Sequence, residues 1–240
     1  MQYSTFAAID IGSYDVILEI FEISKKQGIR SVDKICHRME LGKDTYTLGK
    51  IRPEMEEELC RVLADFVRIM EGYRVDDYRA TASSAISEAS NSLYVLGKIH
   101  QLTGFSVTVL SNSEQRFLSY NALAAMEDNF NKIIEKGTAI LDLDGGSFQI
   151  SLFDKDALVT TQNIRMGSLR IRERLAGIQS ETEHYEEMVE ELIWNEVSSF
   201  KKMYLKDRKI ENIMLIGDVF TDSVYQNIEE KTTKIISREN

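Results

Sequence analysis

Ala8-Ile9-Asp10-Ile11-Gly12-Ser13 and, much later, Leu141-Asp142-Leu143-Asp144-Gly145-Gly146-Ser147 share one layout. In each, an apolar run ends in aspartate, a glycine-serine turn follows, and a second apolar run begins. The residue types suit an anion. Glycine lets the backbone approach a phosphate, the turn's N–H groups and the serine hydroxyl donate to its oxygens, and aspartate holds a metal ion or a metal-bound water.

The flanking pattern repeats as well. Residues 3–10, 16–24 and 29–39 read as three strands, with Lys25-Lys26-Gln27-Gly28 as a turn. In the second of these, Val16, Leu18 and Ile20 alternate with Ile17, Glu19 and Phe21, as expected of a central strand. Pro53 opens a helix to about Gly72, with Glu54, Glu56, Glu57 and Glu58 at the positive end of its dipole. Its apolar stripe is Leu59, Val62, Leu63, Phe66, Val67 and Met70. A strand over 77–82, a helix over 93–102, a strand over 105–110 and a helix over 113–125 follow. Residues 127–137 read as a polar connector.

The second half opens with strands over 138–143, 148–153 and 158–164. Next come a helix from near Gly167, a longer one over 181–205 and a strand over 210–216. Two β-β-β-α units make an internal duplication the economical reading. The expected domains are residues 1–125 and 126–240.

Composition narrows the function. The 240 residues contain 43% hydrophobic and 28% charged side chains, enough for one large core or two small ones. With 29 basic against 39 acidic residues the formal charge is −10, and no basic patch stands out, which disfavours nucleic acid as a partner. The sequence offers neither a membrane-length apolar run nor a signal-peptide layout. Two cysteines, Cys36 and Cys60, make no disulfide framework, so a cytoplasmic location is expected. His37, His100 and His184 lack zinc-ligand spacing.

The paired hairpins resemble those of the actin-like, sugar-kinase and Hsp70-type ATPases. Within that fold the chain resembles the exopolyphosphatase/guanosine pentaphosphate phosphatase (Ppx/GppA) family. Besides the two hairpins, the resemblance rests on Ala80-Thr81-Ala82-Ser83-Ser84-Ala85-Ile86 with Glu88-Ala89-Ser90-Asn91, and on Val109-Leu110-Ser111 with Glu114-Gln115. Arg165-Met166-Gly167-Ser168 and the strand ending Ile216-Gly217 extend it over essentially the whole chain.

The resemblance implies an α/β protein of two ribonuclease-H-like domains around a central cleft. The family's second domain continues well beyond the Ile216-Gly217 strand, so the expectation is either a fragment of a longer chain or a shortened second domain whose exposed face needs a partner. The implied reaction is hydrolysis of a terminal phosphoanhydride of polyphosphate or of a guanosine penta- or tetraphosphate, by in-line attack of water. A glutamate acts as general base, and Mg²⁺ and loop N–H groups stabilise the transferring phosphoryl group. The implied phosphate ligands are Gly12, Ser13, Ser87, Gly145, Gly146 and Ser147, and the implied metal ligands Asp10, Asp142 and Asp144. A homodimer is expected by the same resemblance.

The departures from the family pattern fall where phosphate would be touched. The family reads Gly-x-Glu-Glu-Ala, with the second glutamate as base. Here Asn112-Ser113-Glu114-Gln115-Arg116 puts an amide, Gln115, at that position, and an amide cannot take a proton from water. Glu114 is a candidate substitute, although the segment is also a good capping box. Asp144 stands where a glycine meets phosphate, Gln149 replaces an acidic residue, and Tyr14-Asp15 replaces Asn-Ser. A phosphate-pairing arginine falls on Ser87, and a Gly-x-Ser-Gly-Thr loop has become Gly217-Asp218-Val219-Phe220-Thr221. These changes point to a degenerate active site. The alternative is a non-catalytic member that binds phosphate, a nucleotide or a protein partner.

Other side chains read more plainly. Asp142 and Asp144 suit either a Mg²⁺ site of their own or a turn. Arg165, Arg170, Arg172 and Arg174 suit a polyanion less well than a solvated charged face. Trp194 is expected in a core or interface, and His184 and Cys60 in structural roles.

Overall fold

The computed structural model describes residues 3–126, 129–179, 184–205, 208–217 and 234–237. The chain divides into two compact units, Met1–Ser111 and Asn112–Asn240.

The first unit runs β1 (Ser4–Ile11), β2 (Asp15–Ser24), β3 (Gly28–Arg38), α1 (Leu41–Leu48), α2 (Pro53–Tyr73), β4 (Asp77–Ala82), α3 (Ser84–Ser87), α4 (Ser92–Thr103) and β5 (Val107–Val109). Its sheet has the order β3-β2-β1-β4-β5. The first three strands form an antiparallel meander, while β4 lies parallel to β1 and β5 parallel to β4. Alternation drives the core. Val16, Leu18 and Ile20 of β2 are fully buried, as are Ala7 and Ile11 of β1. The α2 residues Leu59, Leu63 and Phe66 join the same cluster, each contributing about 1.5–3 kcal/mol by leaving water.

The second unit runs α5 (Asn112–Met126), α6 (Phe130–Ile134), β6 (Thr138–Leu143), β7 (Phe148–Asp154), β8 (Ala157–Ile164), α7 (Ser168–Gln179), α8 (Tyr185–Tyr204), β9 (Asn212–Ile216) and β10 (Lys234–Ser237). The order β8-β7-β6-β9-β10 repeats the first sheet. The meander β6-β7-β8 is again antiparallel and β9 again parallel to β6. Only the fifth strand departs, since β10 runs antiparallel to β9.

Several elements differ from the sequence reading, each for a local reason. α1 was not anticipated because Gly42, Asp44, Thr45 and Thr47 give it no apolar stripe. Backbone contacts position it instead: Met39 and Glu40 N–H donate to Tyr14 O, and Gly42 N–H to Ser13 O. α2 does not stop at Gly72. Arg74 closes it in the left-handed region at φ 53°, its N–H bonded to Met70 O and Glu71 O. The segment read as a polar connector holds α6, whose Phe130 and Ile134 are buried. α5 belongs with the second unit, where Tyr120 and Leu123 pack in the cluster of Phe130, Phe153 and Met214. Residues 181–183, read as the start of a helix, lie outside the described residues, and α8 begins at Tyr185.

α8 is seated unevenly. Val197, Phe200 and Tyr204 pack in the cluster with Phe148, Ile150 and Leu152. Tyr185, Val189 and Ile193 belong to none of the core clusters and, with Val197 and Phe200, line a cavity of about 660 Å³ whose other walls include Leu141, Ile150 and Ile171. Trp194, expected in a core or interface, is 59% exposed, with the Lys201 ammonium 5.5 Å from its ring centroid.

Candidate functional site

In the first unit the turn between β1 and β2 is held by Gly12 N–H donating to Asp15 O at 3.0 Å. A Cβ on Gly12 would lie 2.9 Å from that same oxygen, so the tight turn requires glycine. Asp10 is exposed at the end of β1, and its Oδ1 accepts from the Thr81 hydroxyl at 3.3 Å. Ser13 is only 4% exposed. Its Oγ lies 2.7 Å from Tyr46 Oη and 3.4 Å from Ser84 Oγ, and Tyr46 Oη lies 2.8 Å from Ser84 Oγ. Ser87 stands exposed at the end of α3 and, among the described residues, shares no hydrogen bond with this group.

Sequence reasoning missed Ser84 and Tyr46. Ser84 lay within a quoted motif but was given no role. Tyr46 carries no local signal, because its contact with Ser13 spans 33 positions. The extra carboxylate at Asp15, read as added negative charge, is 12% exposed and paired across the strands with Arg38, whose Nε donates to Asp15 Oδ1 at 2.9 Å. The Arg38 guanidinium also lies 5.4 Å from the Tyr14 ring centroid.

The second hairpin is built otherwise. Asp144 N–H donates to Ser147 O at 3.0 Å. The start of α7 then takes up the turn's carbonyls: Ser168 N–H donates to Asp144 O, Arg170 N–H to Gly145 O, and Arg170 Nε to Gly146 O at 2.8 Å. Arg170 is thus a clamp on the turn rather than part of a solvated face. Gly167 makes the approach possible, since a Cβ there would fall 2.3 Å from Ser147 N and 2.4 Å from Asp144 O. Ser147 Oγ accepts from Asn163 Nδ2 at 3.2 Å.

Gln115 points its amide at this hairpin, with Nε2 donating to Asp144 Oδ2 at 2.9 Å. Asp142 Oδ2 accepts from Ser119 Oγ at 3.3 Å. Gln115, Asp142, Asp144 and Ser147, together with Asn112, Arg116, Gln149 and Asn163, line a polar recess of about 10 Å³. Glu114 is exposed in the first turn of α5, and the Ser113 hydroxyl accepts from Arg116 Nη2 at 2.8 Å. Nearby, burial pushes the Tyr120 phenol above its ordinary pKa, against the lowering effect of its hydrogen bond to Ser151.

The fit of these residues to Mg²⁺ is uneven. The ion keeps most of its waters and demands octahedral room. The second hairpin does not fit it, because the recess holds about one water and shares its wall with the Arg116 guanidinium. Among the described residues no three His, Cys, Asp or Glu side chains gather as a metal site. Asp10, a single exposed carboxylate, fits an ion carried in with a phosphate chain. Residues 218–221, where a further phosphate loop was read, lie outside the described residues.

The repeated strand order and paired turns define an α/β chain of two ribonuclease-H-like units, the architecture of the actin-like ATPases. The chain belongs to the Ppx/GppA phosphatase family, whose sequence pattern matches residues 19–240. It is 21% identical over 238 residues to a bifunctional 3-dehydroquinate synthase/phosphatase of Fusobacterium nucleatum, covering 94% of this chain and 34% of that protein. It is 25% identical over 144 residues to exopolyphosphatase 1 of Mycobacterium leprae, covering 60% of this chain and 41% of the relative. The chain thus spans between a third and two-fifths of these relatives' length. Among solved structures, an exopolyphosphatase from Cytophaga hutchinsonii superposes with a TM-score of 0.75 at 20% identity, over 89% of this chain and 66% of that one. Among the described residues, no helix is long and apolar enough to cross a membrane.

Proposed function

We propose that this chain is a phosphohydrolase-like member of its family. It binds polyphosphate or a guanosine penta- or tetraphosphate at its glycine-serine turns and has largely lost the hydrolytic step. The observation that carries this reading is the hydrogen bond from Gln115 Nε2 to Asp144 Oδ2. At the position where the family keeps its general base, this chain has an amide acting as a donor. It orients a carboxylate and offers an attacking water no basic site. Losing the base alone lowers a rate by about 10²–10⁴.

Binding is better supported than turnover. Both turns keep their glycines and serines, and among the described residues no backbone group accepts from the N–H of Ser13, Gly145 or Gly146. Mg²⁺ would enter as the counter-ion of the phosphate chain, with Asp10 as the exposed carboxylate near the end of β1.

The test is Mg²⁺-dependent phosphate release from polyphosphate and from guanosine pentaphosphate. Gln115→Glu alone would put two carboxylates in hydrogen-bond contact, which raises the pKa of one. The informative variant is therefore Gln115→Glu with Asp144→Gly. A rise of about 10²-fold or more over the unmodified chain supports the reading. Release by the unmodified chain as fast as by the double variant sinks it, and points to Asp144 as a working base.

A further inference from the structure

The first strand pairs of the two sheets share a register. Asp10 pairs with Ile17 and Asp142 with Gln149, so Ala7, Ile9 and Ile11 of β1 correspond to Ala139, Leu141 and Leu143 of β6. Each crossover to the fourth strand also ends on a long helix, α2 before β4 and α8 before β9. In the first unit this face is sealed, with the three β1 side chains at most 1% exposed. Helix α4 contributes to the seal. Its Val95 and Ile99, one turn apart, are buried in the cluster that holds Ile9, Ile11 and the α2 residue Leu63. Beside them, the Lys98 ammonium lies 2.5 Å from Glu56 Oε1 of α2.

The matching face of the second unit is open. Ala139, Leu141 and Leu143 are only half-buried and line the 660 Å³ cavity. Tyr185, Val189 and Ile193 of α8 border both that cavity and an apolar groove of about 440 Å³ walled also by Trp194, Glu186 and Glu190. Apolar surface rimmed by charge marks a protein-binding site. The acidic residues give its sign. Glu56 precedes the buried Leu59 by three positions, and Glu186 and Glu190 precede Val189 and Ile193 by the same interval. A groove so lined favours a cationic side chain on whatever enters it.

We propose that the β6 face of the second unit and the N-terminal half of α8 form a docking groove for an amphipathic helix of a partner protein. That helix has the chemistry of α4: two apolar side chains one turn apart, which enter the cavity, and a lysine or arginine beside them, which meets Glu186 or Glu190. This is helix-in-groove recognition, with the first unit supplying the pattern from within the same molecule. It is independent of the phosphate-binding reading.

The test uses a synthetic peptide of the α4 sequence, Asn91–Gly104, stapled between its exposed positions 97 and 101 so that the helix is formed before binding. The readout is Trp194, the chain's single tryptophan, which lines the groove. Titration into the unmodified chain should shift its emission to the blue and saturate. A peptide carrying Ile99→Asp should bind at least about tenfold more weakly, as should the unmodified peptide to an Ile193→Asp chain that circular dichroism shows to be folded. Lys98→Glu in the peptide should weaken binding about threefold, and that peptide should bind the Glu186→Lys, Glu190→Lys chain better than the unmodified peptide does. No shift with the peptide, or equal binding by the Ile99→Asp peptide, overturns the proposal. A blue shift that grows with protein concentration alone overturns it in favour of a second copy. Emission already blue and unmoved by the peptide overturns it too, because the groove is then filled from within the chain.

Discussion

The turn after β1 and the turn after β6 begin from one plan and are stabilised in different ways. The first is closed by its own Gly12 N–H on Asp15 O, by the N–H groups of Met39, Glu40 and Gly42 on the Tyr14 and Ser13 carbonyls, and by side-chain hydroxyls, with its extra carboxylate, Asp15, paired with Arg38 on the neighbouring strand. The second is closed by helix α7, whose first residues and Arg170 bind the turn's carbonyls, and its extra carboxylate, Asp144, is held by Gln115. The sheets beneath remain nearly superimposable in order. Strand packing is set by buried apolar alternation, which tolerates little change. Turn chemistry rests on a few exchangeable polar contacts, so the two turns differ on a shared frame.

The frame itself is the hardest part to break. Leu18→Ala in β2 and Leu152→Ala in β7 each delete a fully buried side chain, and each should cost about 2–5 kcal/mol in urea unfolding. A loss for one residue well below that range would mean that the two sheets are not equivalently packed.

Glycine substitutions should separate the turns more sharply. Gly167→Ala drives a methyl into the backbone of Asp144, Gly145 and Ser147, and should cost about 3 kcal/mol in the same assay. Gly12→Ala meets one carbonyl oxygen at 2.9 Å and should cost about 1–2 kcal/mol. Equal losses would refute the view that α7 clamps its turn more tightly than α1 does. Asn163→Ala removes the donor to Ser147 Oγ, and should cost about 1 kcal/mol.

A pH titration gives the smallest effect. Burial raises the Tyr120 phenol, so the folded state holds that proton more tightly than the unfolded chain. Its contribution to stability is complete below the unfolded value of about 10 and is lost as pH climbs through the higher folded value. Unfolding midpoints measured across alkaline pH should fall less steeply in Tyr120→Phe than in the unmodified protein. Parallel curves would assign the alkaline loss to other groups.

Much of the frame was legible in the sequence. The residues of β4 and β6 match their expected spans because β6 is a short apolar run and β4 alternates Tyr78, Ala80 and Ala82 with more exposed Asp77, Arg79 and Thr81. The aspartates and glycines of both turns were found by their pattern. α1, α3 and α6 were not, since eight residues or fewer give too little periodicity to see. The working contacts of the site were harder still. Gln115 was read as standing at the base position of the family pattern, but its bond to Asp144 joins positions 29 apart. Arg170 was read as a solvated charge because nothing in its neighbourhood announces a carbonyl 24 positions upstream. Contacts of that kind exist only once the sheet has brought the turns and helices together.

The uneven seating of α8 has a consequence for how the second unit breathes. Its C-terminal half joins the core cluster of the sheet through Val197, Phe200 and Tyr204, whereas Tyr185, Val189 and Ile193 only line the cavity that Val197 and Phe200 also border. An unsupported helix of about this length is marginal in water. Amide deuterium uptake should therefore run in a gradient along it, fast from Glu190 to Trp194 and slow from Val197 to Tyr204. The helix opens from its N-terminal end as a separate cooperative step, while β6 and β7 stay protected.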